Sequence, residues 1–323
     1  MEKLNKKWDE LSPFYTFSEI QKDIIVLSKI AGKKTLVVAA ADEENVLKAA
    51  VNAYKLGLVE IKLFGNKKII TEILKNEKFD LKNCEIFDYP DPHAATEEAV
   101  KYISKGKGDI IMKGLVHTGV YLKAILNEEY GLRRKNGLLS HVGVFQPEGY
   151  KRLFLMSDAA MIIEPTLEQK IDILKNAVYI AGALGIKTPR VALICAVETV
   201  NLKMPATLDA AIISKMSERG QLGVDAIVDG PLATDAALSE EKAKIKKIKS
   251  DVAGKADVCI MNRIEDANAF YKLMELFGKG NQAGILAGAK KPVILPSRGD
   301  DDTVKLNSIL VGIMMSYFED VRK

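Results

Sequence analysis

Short, continuously apolar segments alternate with helical segments along most of this chain, and that alternation limits the folds it can adopt. The first apolar segment, TLVVAAA at residues 35–41, precedes a segment of helical spacing at 43–57 that ends in glycine. The same order repeats with EIKLFG at 60–65 and an amphipathic segment at 93–106. Fully apolar strands separated by helices are typical of βαβ units, in which helices cover both faces of a parallel sheet. The sequence therefore predicts an α/β fold with a mostly parallel sheet.

The alternation continues to the end of the chain. Further strands are predicted in RLFLMSDA, RVALICAV, DAIVDGPL, ADVCIMN and PVILPS. Further helices are predicted at 167–184, 207–219, 239–252, 266–277 and 304–320. A chain of 323 residues favours two domains. No linker rich in proline or glycine separates them, so any domain boundary is expected in ordinary loops.

Composition predicts a soluble globular protein and argues against several classes of function. Apolar residues make up 48% of the chain, but no apolar segment reaches the roughly 20 residues that a membrane span needs. Because no leader peptide is recognisable, a cytoplasmic location is expected. The net charge of +4 comes with dispersed lysines, which does not indicate nucleic-acid binding but suits a small anionic substrate. The three cysteines lack metal-ligand spacing and are expected to be buried free thiols.

Polar residues follow several of the predicted strands, where ligands bind in an open parallel sheet. The candidates found in this way include Lys113, His117, Thr118, Ser140, His141, Ser157, Asp158, Glu198, Asp229, Ser297, Arg298 and Asp300. The two histidines among them could instead be packing residues, which is the more usual role of a lone histidine. No dinucleotide fingerprint, Walker loop, H-E-x-x-H or G-x-S-x-G motif occurs, so dinucleotide, nucleoside-triphosphate and serine-hydrolase functions lose their usual support.

The segment LPSRGDDDTVKLNS at 295–308 places three consecutive aspartates beside Arg298 at the start of a predicted helix. One interpretation is that these carboxylates cap the helix, an effect worth about 1 kcal/mol, and offset the arginine. The other is that the cluster binds a charged group and moves a proton. Three carboxylates exceed what capping requires, and they oppose the anion binding that a helix N-terminus favours. Spacing alone leaves both interpretations open.

Several segments resemble the phosphate butyryltransferase branch of the phosphate acyltransferases. The resemblance extends from about residue 35 to the C-terminus and is densest in SDAAM, EPTLEQK, DGPLATDAAL and SRGD. It implies two three-layer α/β/α domains with an interdomain cleft, an isopropylmalate-dehydrogenase-like architecture. Domain I would comprise residues 1–138 and 292–323, and domain II residues 139–291. The implied reaction converts acyl-CoA and phosphate into acyl phosphate and CoA, without metal or bound cofactor, in a homo-oligomer.

The resemblance also implies roles for individual residues. Arg298 would hold the phosphate group, and Ser297 would hydrogen-bond the reacting centre. Lys123 stands where phosphate acetyltransferases carry an arginine that contacts anionic substrate. The full set of expected substrate-binding residues is Lys113, His117, Thr118, Lys123, Ser140, His141, Asp229 and Asn268.

Two positions depart from the family pattern. Phosphate acetyltransferases carry their proposed base, an aspartate, seven positions after the serine, and that position here is Val304. The base is therefore expected to be Asp300, with Asp301 or Asp302 as the second choice. Ala267 replaces the glycine that usually precedes Asn268.

The expected substrate is butyryl-CoA or another acyl-CoA with a short or branched chain, and acetyl-CoA is the alternative. The departure at Ala267 leaves room for a non-catalytic, CoA-binding regulatory protein with the same fold. A dehydrogenase of related architecture would need NAD, Mg²⁺ and clustered metal-binding aspartates, for which the sequence shows no motif.

Overall fold

The computed structural model describes residues 1–135, 137–297 and 299–322. The chain divides into two compact units. Unit 1 contains residues 1–11, 16–137 and 283–323. Unit 2 contains residues 12–15 and 138–282.

Helices and strands alternate along the described residues. The α-helices are α1 (Glu2–Asp9), α2 (Phe17–Ala31), α3 (Glu44–Lys55), α4 (Lys67–Asn76), α5 (Pro92–Ser104), α6 (Thr118–Ile125), α7 (Leu167–Ala183), α8 (Pro205–Glu218), α9 (Thr234–Leu238), α10 (Glu240–Ile245), α11 (Ile264–Phe277) and α12 (Asp302–Val321). The strands are β1 (Lys34–Ala39), β2 (Val59–Gly65), β3 (Cys84–Asp88), β4 (Ile110–Lys113), β5 (Ser140–Gln146), β6 (Phe154–Ser157), β7 (Arg190–Ile194), β8 (Ile227–Leu232), β9 (Val258–Ile260), β10 (Asn281–Ala287) and β11 (Val293–Ile294).

The sheet of unit 1 has the strand order β3-β2-β1-β4-β11-β10. The pairs from β3 through β11 are parallel, and β10 is antiparallel to β11. Strand β1 is buried along almost its whole length, which agrees with its continuous apolar sequence. Because β1, β4 and β11 are adjacent and parallel, their carboxyl ends lie at one edge of the sheet.

Helices cover both faces of this sheet. A Cβ built on Gly312 of α12 would lie 3.1 Å from the side chain of Ile110. On the other face, a Cβ built on Gly108 would lie near both Val37 and the α5 residue Ile103. Val37 is in register with the residue after Ile110, and successive strand residues point to opposite faces. Helices α5 and α12 therefore pack on opposite faces, which gives unit 1 three layers.

The sheet of unit 2 has the strand order β5-β6-β9-β7-β8. Strand β5 is antiparallel to β6, and the remaining pairs are parallel. Its core contains a group of aromatic side chains, Phe145, Phe154, Phe270 and Tyr271, which pack together mostly edge to face. The predicted α/β class with a mostly parallel sheet is confirmed.

The structure also differs locally from the sequence analysis. The helix expected at 239–252 is shorter, because α10 ends at Ile245. Lys247 has a φ of 55°, and the amide of Ile248 donates to the carbonyl of Ala243. A residue in the left-handed conformation at this position ends an α-helix, so α10 does not continue. Strands β3 and β10 were not predicted. Among the residues that the structure describes, none of the helices is long and apolar enough to cross a membrane.

Candidate active site

Three helices of unit 1 begin just beyond the carboxyl edge of its sheet. Strand β1 leads into α3, β4 into α6, and β11 into α12. The first turn of a helix carries amide groups without intrahelical partners and the positive end of the helix dipole. Three such turns at one edge of a sheet favour an anionic ligand.

A cavity of about 300 Å³ lies in unit 1 at this edge. This volume is at the lower end of the range of about 300–1,000 Å³ that is typical of ligand pockets. The residues that line it are Glu43, Lys113, Gly114, Leu115, Val116, His117, Pro296, Ser297 and Lys305. Three of the residues expected from sequence, Lys113, His117 and Ser297, therefore lie around one cavity.

A close backbone contact shapes one wall of the cavity. The amide of Gly114 donates to the carbonyl of Ala39 at 2.8 Å, and that of Leu115 to the carbonyl of Ala40 at 2.7 Å. A Cβ on Gly114 would lie 2.0 Å from the Ala40 carbonyl oxygen, so a side chain cannot fit there without moving the loop. Ala40 itself has a φ of 51°, a conformation that non-glycine residues rarely adopt. The chain thus fixes the loops after β1 and β4 against each other.

Lys113 brings a buried positive charge to this wall. The residue is 4% exposed. Its Nζ donates to the carbonyl oxygens of Gly114 at 3.2 Å and Val116 at 3.3 Å. These contacts hold the ammonium group beside the loop that lines the cavity.

Lys305 brings a second buried charge, and it is not among the residues predicted from sequence. Its side chain is only 1% exposed, although it belongs to the first turns of α12. Its Nζ donates to the carbonyl oxygen of Asp300 and lies 3.8 Å from Oε1 of Glu43. Helical phase was a usable signal, because Lys305 shares a face with the buried residues Ile309 and Ile313.

Glu43 was also missed, although it follows β1 in the same way that the predicted residues follow their strands. It is the N-cap residue of α3, in an extended conformation, and its side chain makes no capping hydrogen bond to the described first turn. The carboxylate is 25% exposed. Reading the residues after the first strand as well as those after later strands would have found it.

Ser297 opens a tight turn that leads into α12. Its amide donates to Oδ2 of Asp300 at 2.7 Å, and its Oγ accepts from the amide of Gly299 at 3.4 Å. Asp300 is 4% exposed, so its carboxylate is part of the buried framework of the turn. Arg298, which is expected to hold phosphate, lies outside the described residues.

The two remaining aspartates have different surroundings. Asp301 is exposed and is the N-cap of α12, where its Oδ1 accepts from the amide of Val304 at 2.8 Å. Asp302 begins the helix and is half-buried. The pKa of Lys48 is raised, mainly by its hydrogen bond to Glu44, and Asp302 adds a smaller effect through its charge. The capping interpretation thus fits Asp301, and neither residue lines the cavity.

Two other expected residues of unit 1 lie on α6. Thr118 is the exposed first residue of this helix, directly after the cavity-lining His117. Lys123 is exposed in the last turn of the helix and is not among the described residues that line the cavity.

In unit 2, Ser140 and His141 open strand β5 rather than follow a strand. Because β5 is antiparallel to β6, its first residues still lie at the edge where β6 ends. Ser140 is fully buried, and its Oγ accepts from Nδ2 of Asn176 at 2.9 Å. The carbonyl oxygen of His141 accepts from Oγ of Ser157 at 2.9 Å. Both residues are therefore tied into the core of the unit.

The imidazole of His141 is buried against Tyr271, with the ring centroids 5.5 Å apart in an edge-to-face arrangement. Burial lowers the pKa of His141 to about 4, and the charge of Lys272 adds to the shift. No described group forms a hydrogen bond with its Nδ1.

Asp158, within the SDAAM motif, organises the turn that follows β6. Its carboxylate accepts from the amides of His141, Ala160, Met161 and Ile162 at 2.8–3.2 Å. Burial raises its pKa, and these four amide donors oppose the rise. This part of the motif shapes the backbone.

Asp229 and Asn268 make local contacts in unit 2. Asp229 accepts from the amide of Gly230 at 2.8 Å. Nδ2 of Asn268 donates to the carbonyl of Ala159 at 3.2 Å, which ties α11 to the turn after β6. The preceding residue, Ala267, is fully buried, so the methyl group that replaces the family's glycine fits into the core.

A second buried lysine cluster lies at the carboxyl ends of β7 and β9. Nζ of Lys170 donates to Oδ2 of Asp209 at 2.7 Å and to Oδ1 of Asn262 at 3.4 Å. The space between these side chains is about 10 Å³, which holds at most one water molecule. Among the residues that the structure describes, no cluster of His, Cys, Asp and Glu has the composition to hold a metal ion.

A model of the family described as phosphate acetyl/butaryl transferase matches residues 93–313. The chain belongs to this family. It is 45% identical over 283 residues to a phosphate butyryltransferase of Clostridium beijerinckii, covering 88% of this chain and 93% of the relative. It is 42% identical over 293 residues to a phosphate acetyltransferase of Thermotoga maritima, covering 91% and 98%. The crystal structure of a branched-chain phosphotransacylase from Enterococcus faecalis V583 superimposes with a TM-score of 0.77, at 30% identity, over 88% of this chain and 99% of that structure.

Most of the cavity lies within the segment that matches the family model. Lys113, His117, Ser297 and Lys305 fall between residues 93 and 313, whereas Glu43 precedes them. The resemblance seen in sequence is thereby confirmed at the level of the family.

Proposed function

We propose that this protein is a phosphate acyltransferase that interconverts acyl-CoA plus phosphate with acyl phosphate plus CoA. The observation that carries the proposal is the cavity of unit 1, where Ser297 and two buried lysines meet at the start of three helices. Membership of the phosphate acetyl/butaryl transferase family supports the reaction. The cavity is too small for a whole CoA molecule, so it would hold the reacting groups: phosphate, acyl carbonyl and thiol.

The anion would be bound by several donors. Lys113 and Lys305 supply buried positive charge, and Arg298 would add a bidentate contact to the phosphate. Ser297 would donate to the oxyanion that develops on the acyl carbonyl, which is where preorganised donors are most effective. Lys123 remains a proposed second cation, but its position in the last turn of α6 gives it less support than Lys305 has.

Transfer would be direct, within a ternary complex. In the direction of acyl-CoA synthesis, the CoA thiol loses its proton to a carboxylate and its sulfur attacks the acyl carbon. The carbon–oxygen bond to phosphate then breaks, and phosphate leaves with the bonding electrons. The sequence favours Asp300 for this carboxylate and, after it, Asp301 or Asp302, although none of the three is among the described residues that line the cavity.

We propose butyryl or another short or branched acyl group as the preferred substrate. The Clostridium beijerinckii relative is a butyryltransferase, and the Enterococcus faecalis structure is of a branched-chain enzyme. Acetyl transfer is the second candidate, because the acetyltransferase of Thermotoga maritima is 42% identical. Each additional buried methylene contributes about 0.8 kcal/mol, so a pocket that holds four carbons should prefer butyryl over acetyl by about tenfold or more.

The remaining features of the proposal rest on the family resemblance. The two compact units would be its two domains, although unit 2 ends at Gln282 and the boundary was expected near 292. Ser140, His141, Asp229 and Asn268 would take part in substrate binding from unit 2. CoA would be a substrate, with no bound cofactor, and the enzyme would act in the cytoplasm as a homo-oligomer.

The test is phosphate-dependent release of free thiol from a panel of acyl-CoAs, comparing wild type with Arg298→Ala. We expect turnover that is fastest with C4 or branched acyl groups, and a loss of about 10²–10³ in kcat in the variant. Arg263→Ala is the matched control, because it removes an arginine that is 59% exposed and pairs with Glu164 on the surface of unit 2.

Three results would change the assignment. Fastest turnover with acetyl-CoA would select the second candidate. Absence of thiol release from every acyl-CoA, with CoA still bound, would replace the enzyme by a regulatory CoA-binding protein. Equal losses in Arg298→Ala and Arg263→Ala would remove Arg298 from the phosphate site.

A further inference from the structure

The carboxylate that faces the cavity is not one of the three aspartates. Glu43 is the acidic residue among the described residues that line it. Asp300 accepts the Ser297 amide within the turn, and Asp301 caps α12. A carboxylate expected next to Ser297 in sequence thus has a counterpart after strand β1, in Glu43.

Contacts within unit 1 hold Glu43 in place. Glu43 is the N-cap residue of α3, but its side chain makes no capping hydrogen bond. Its Oε1 lies instead 3.8 Å from Nζ of Lys305. The ammonium group of Lys305 is almost fully buried and also donates to the carbonyl of Asp300. One lysine therefore connects the Glu43 carboxylate to the turn that carries Ser297.

The partial exposure of Glu43 suits a group that exchanges protons. A carboxylate that is 25% exposed can reach the cavity on one side and solvent on the other. A base must be within hydrogen-bonding reach of the proton it removes, and Glu43 shares the cavity with Ser297.

We propose that Glu43 is the general base of the acyltransferase and that Lys305 positions it. This inference rests on the function proposed above. The thiol proton of CoA passes to Glu43 as the sulfur forms its bond to the acyl carbon. The bond between that carbon and the phosphate oxygen breaks, and phosphate leaves with the electron pair. The protonated carboxyl group then releases its proton to phosphate or to water. In the reverse direction the same group protonates the departing thiolate.

The decisive experiment measures acyl-CoA formation from CoA and the acyl phosphate that wild type uses best, at pH values from 6 to 9.5. Glu43→Gln keeps the size of the side chain and removes the base. Near pH 7 its kcat should fall by about 10²–10⁴, the usual contribution of general-base catalysis. The deficit should shrink as pH rises, because the free thiolate of CoA increases about tenfold per unit up to a pKa near 8.5. Recovery at high pH distinguishes a missing base from a damaged fold.

Two further variants sharpen the result. Glu44→Gln is the matched control: the residue is adjacent, belongs to the same first turn, is 66% exposed and pairs with Lys48. It should retain wild-type kcat and pH profile. Glu43→Asp keeps a carboxylate on a shorter stem and should retain more activity than Glu43→Gln at pH 7. This variant also keeps the proposal testable should Glu43→Gln fail to fold.

Several outcomes would overturn the proposal. A deficit of Glu43→Gln that stays constant across the pH range would make Glu43 structural. A deficit that shrinks with pH in Asp300→Asn, but not in Glu43→Gln, would make Asp300 the base. Wild type without turnover on any acyl phosphate would instead refute the proposed function, before any variant is compared.

Discussion

The carboxyl edges of the two sheets each carry a buried lysine, but the two lysines are partnered differently. Lys305 in unit 1 lies 3.8 Å from its carboxylate, beside a cavity of about 300 Å³. Lys170 in unit 2 lies 2.7 Å from Asp209, and the space around it is only about 10 Å³. A position at the carboxyl edge is therefore not sufficient to indicate a binding site. The unit 1 cavity differs because the buried ammonium group of Lys305 lies 3.8 Å from its carboxylate partner and borders open space.

The same contrast applies to the other polar residues. In unit 2, the backbone amide and carbonyl of His141 are bonded to Asp158 and Ser157, and the Asp158 carboxylate accepts further backbone amides, although Nδ1 of His141 has no hydrogen-bond partner among the described residues. In unit 1, the turn of Ser297 is joined to backbone on one side and open to the cavity on the other. Buried polar groups that satisfy one another stabilise a fold, whereas those that line a cavity can also meet a ligand.

The largest effect should come from replacing the two lysines. We expect Lys305→Met to lower kcat/KM by about 10²–10³, because it removes a cation from the proposed anion site and the partner proposed to position Glu43. We expect Lys170→Met to lower the free energy of unfolding by about 2 kcal/mol, because it removes a charged hydrogen bond to Asp209, while activity per folded molecule is kept. Steady-state kinetics and urea unfolding of both variants test this contrast. Similar losses of activity in the two variants would place Lys170 in the site as well.

The free energy of unfolding should depend on pH through His141 in unit 2. Folding lowers the pKa of His141 from 6.5 to about 4, so the unfolded chain binds more protons between these values. The free energy of unfolding should therefore fall as pH is lowered from about 6.5 to 4, by up to about 1.4 kcal/mol per unit from this residue. His141→Gln should lose this dependence and keep that of Asp158, whose pKa burial raises.

The control for this pH series is His93→Gln, which changes an exposed histidine of α5. Urea unfolding between pH 4 and 8 gives the free energy of unfolding of wild type, His141→Gln and His93→Gln. A wild-type slope that is unchanged in His141→Gln would show that the imidazole is not held neutral by burial.

The smallest effect should come from two helix caps, one in each unit. Asp301→Ala and Thr166→Ala remove the side chains that cap α12 and α7, and each should cost about 1 kcal/mol of stability. Thr166→Ala should keep full activity. Asp301→Asn keeps a capping oxygen and should restore most of the stability. If Asp301→Asn folds stably but loses activity by 10² or more, Asp301 acts in catalysis as well as in capping.

Part of the candidate site could be predicted because it depends on local sequence. Continuous apolar strands predicted the parallel sheet, and the residues after them include Lys113, His117 and Ser297, which share one cavity. The three aspartates also gave a local signal, and the capping interpretation fits Asp301.

The rest depends on contacts between distant parts of the chain. Glu43 and Lys305 meet only because α3 and α12 pack against each other, and no local pattern contains that pairing. Likewise, the partners of Ser140 and His141 are supplied by Asn176, Ser157 and Asp158. Spacing along the chain shows that such polar groups exist, but not which of them satisfy one another.

Helix α12 both carries Lys305 to the cavity and contributes apolar side chains to the core of unit 1. Lys305 belongs to the same buried face as Ile309 and Ile313, which fill the core of unit 1. Any event that loosens the last twenty or so residues would withdraw the ammonium group and the apolar side chains together. Catalytic activity should therefore report on the packing of the chain's final helix, and a partly folded form without that helix would be inactive even with every strand in place.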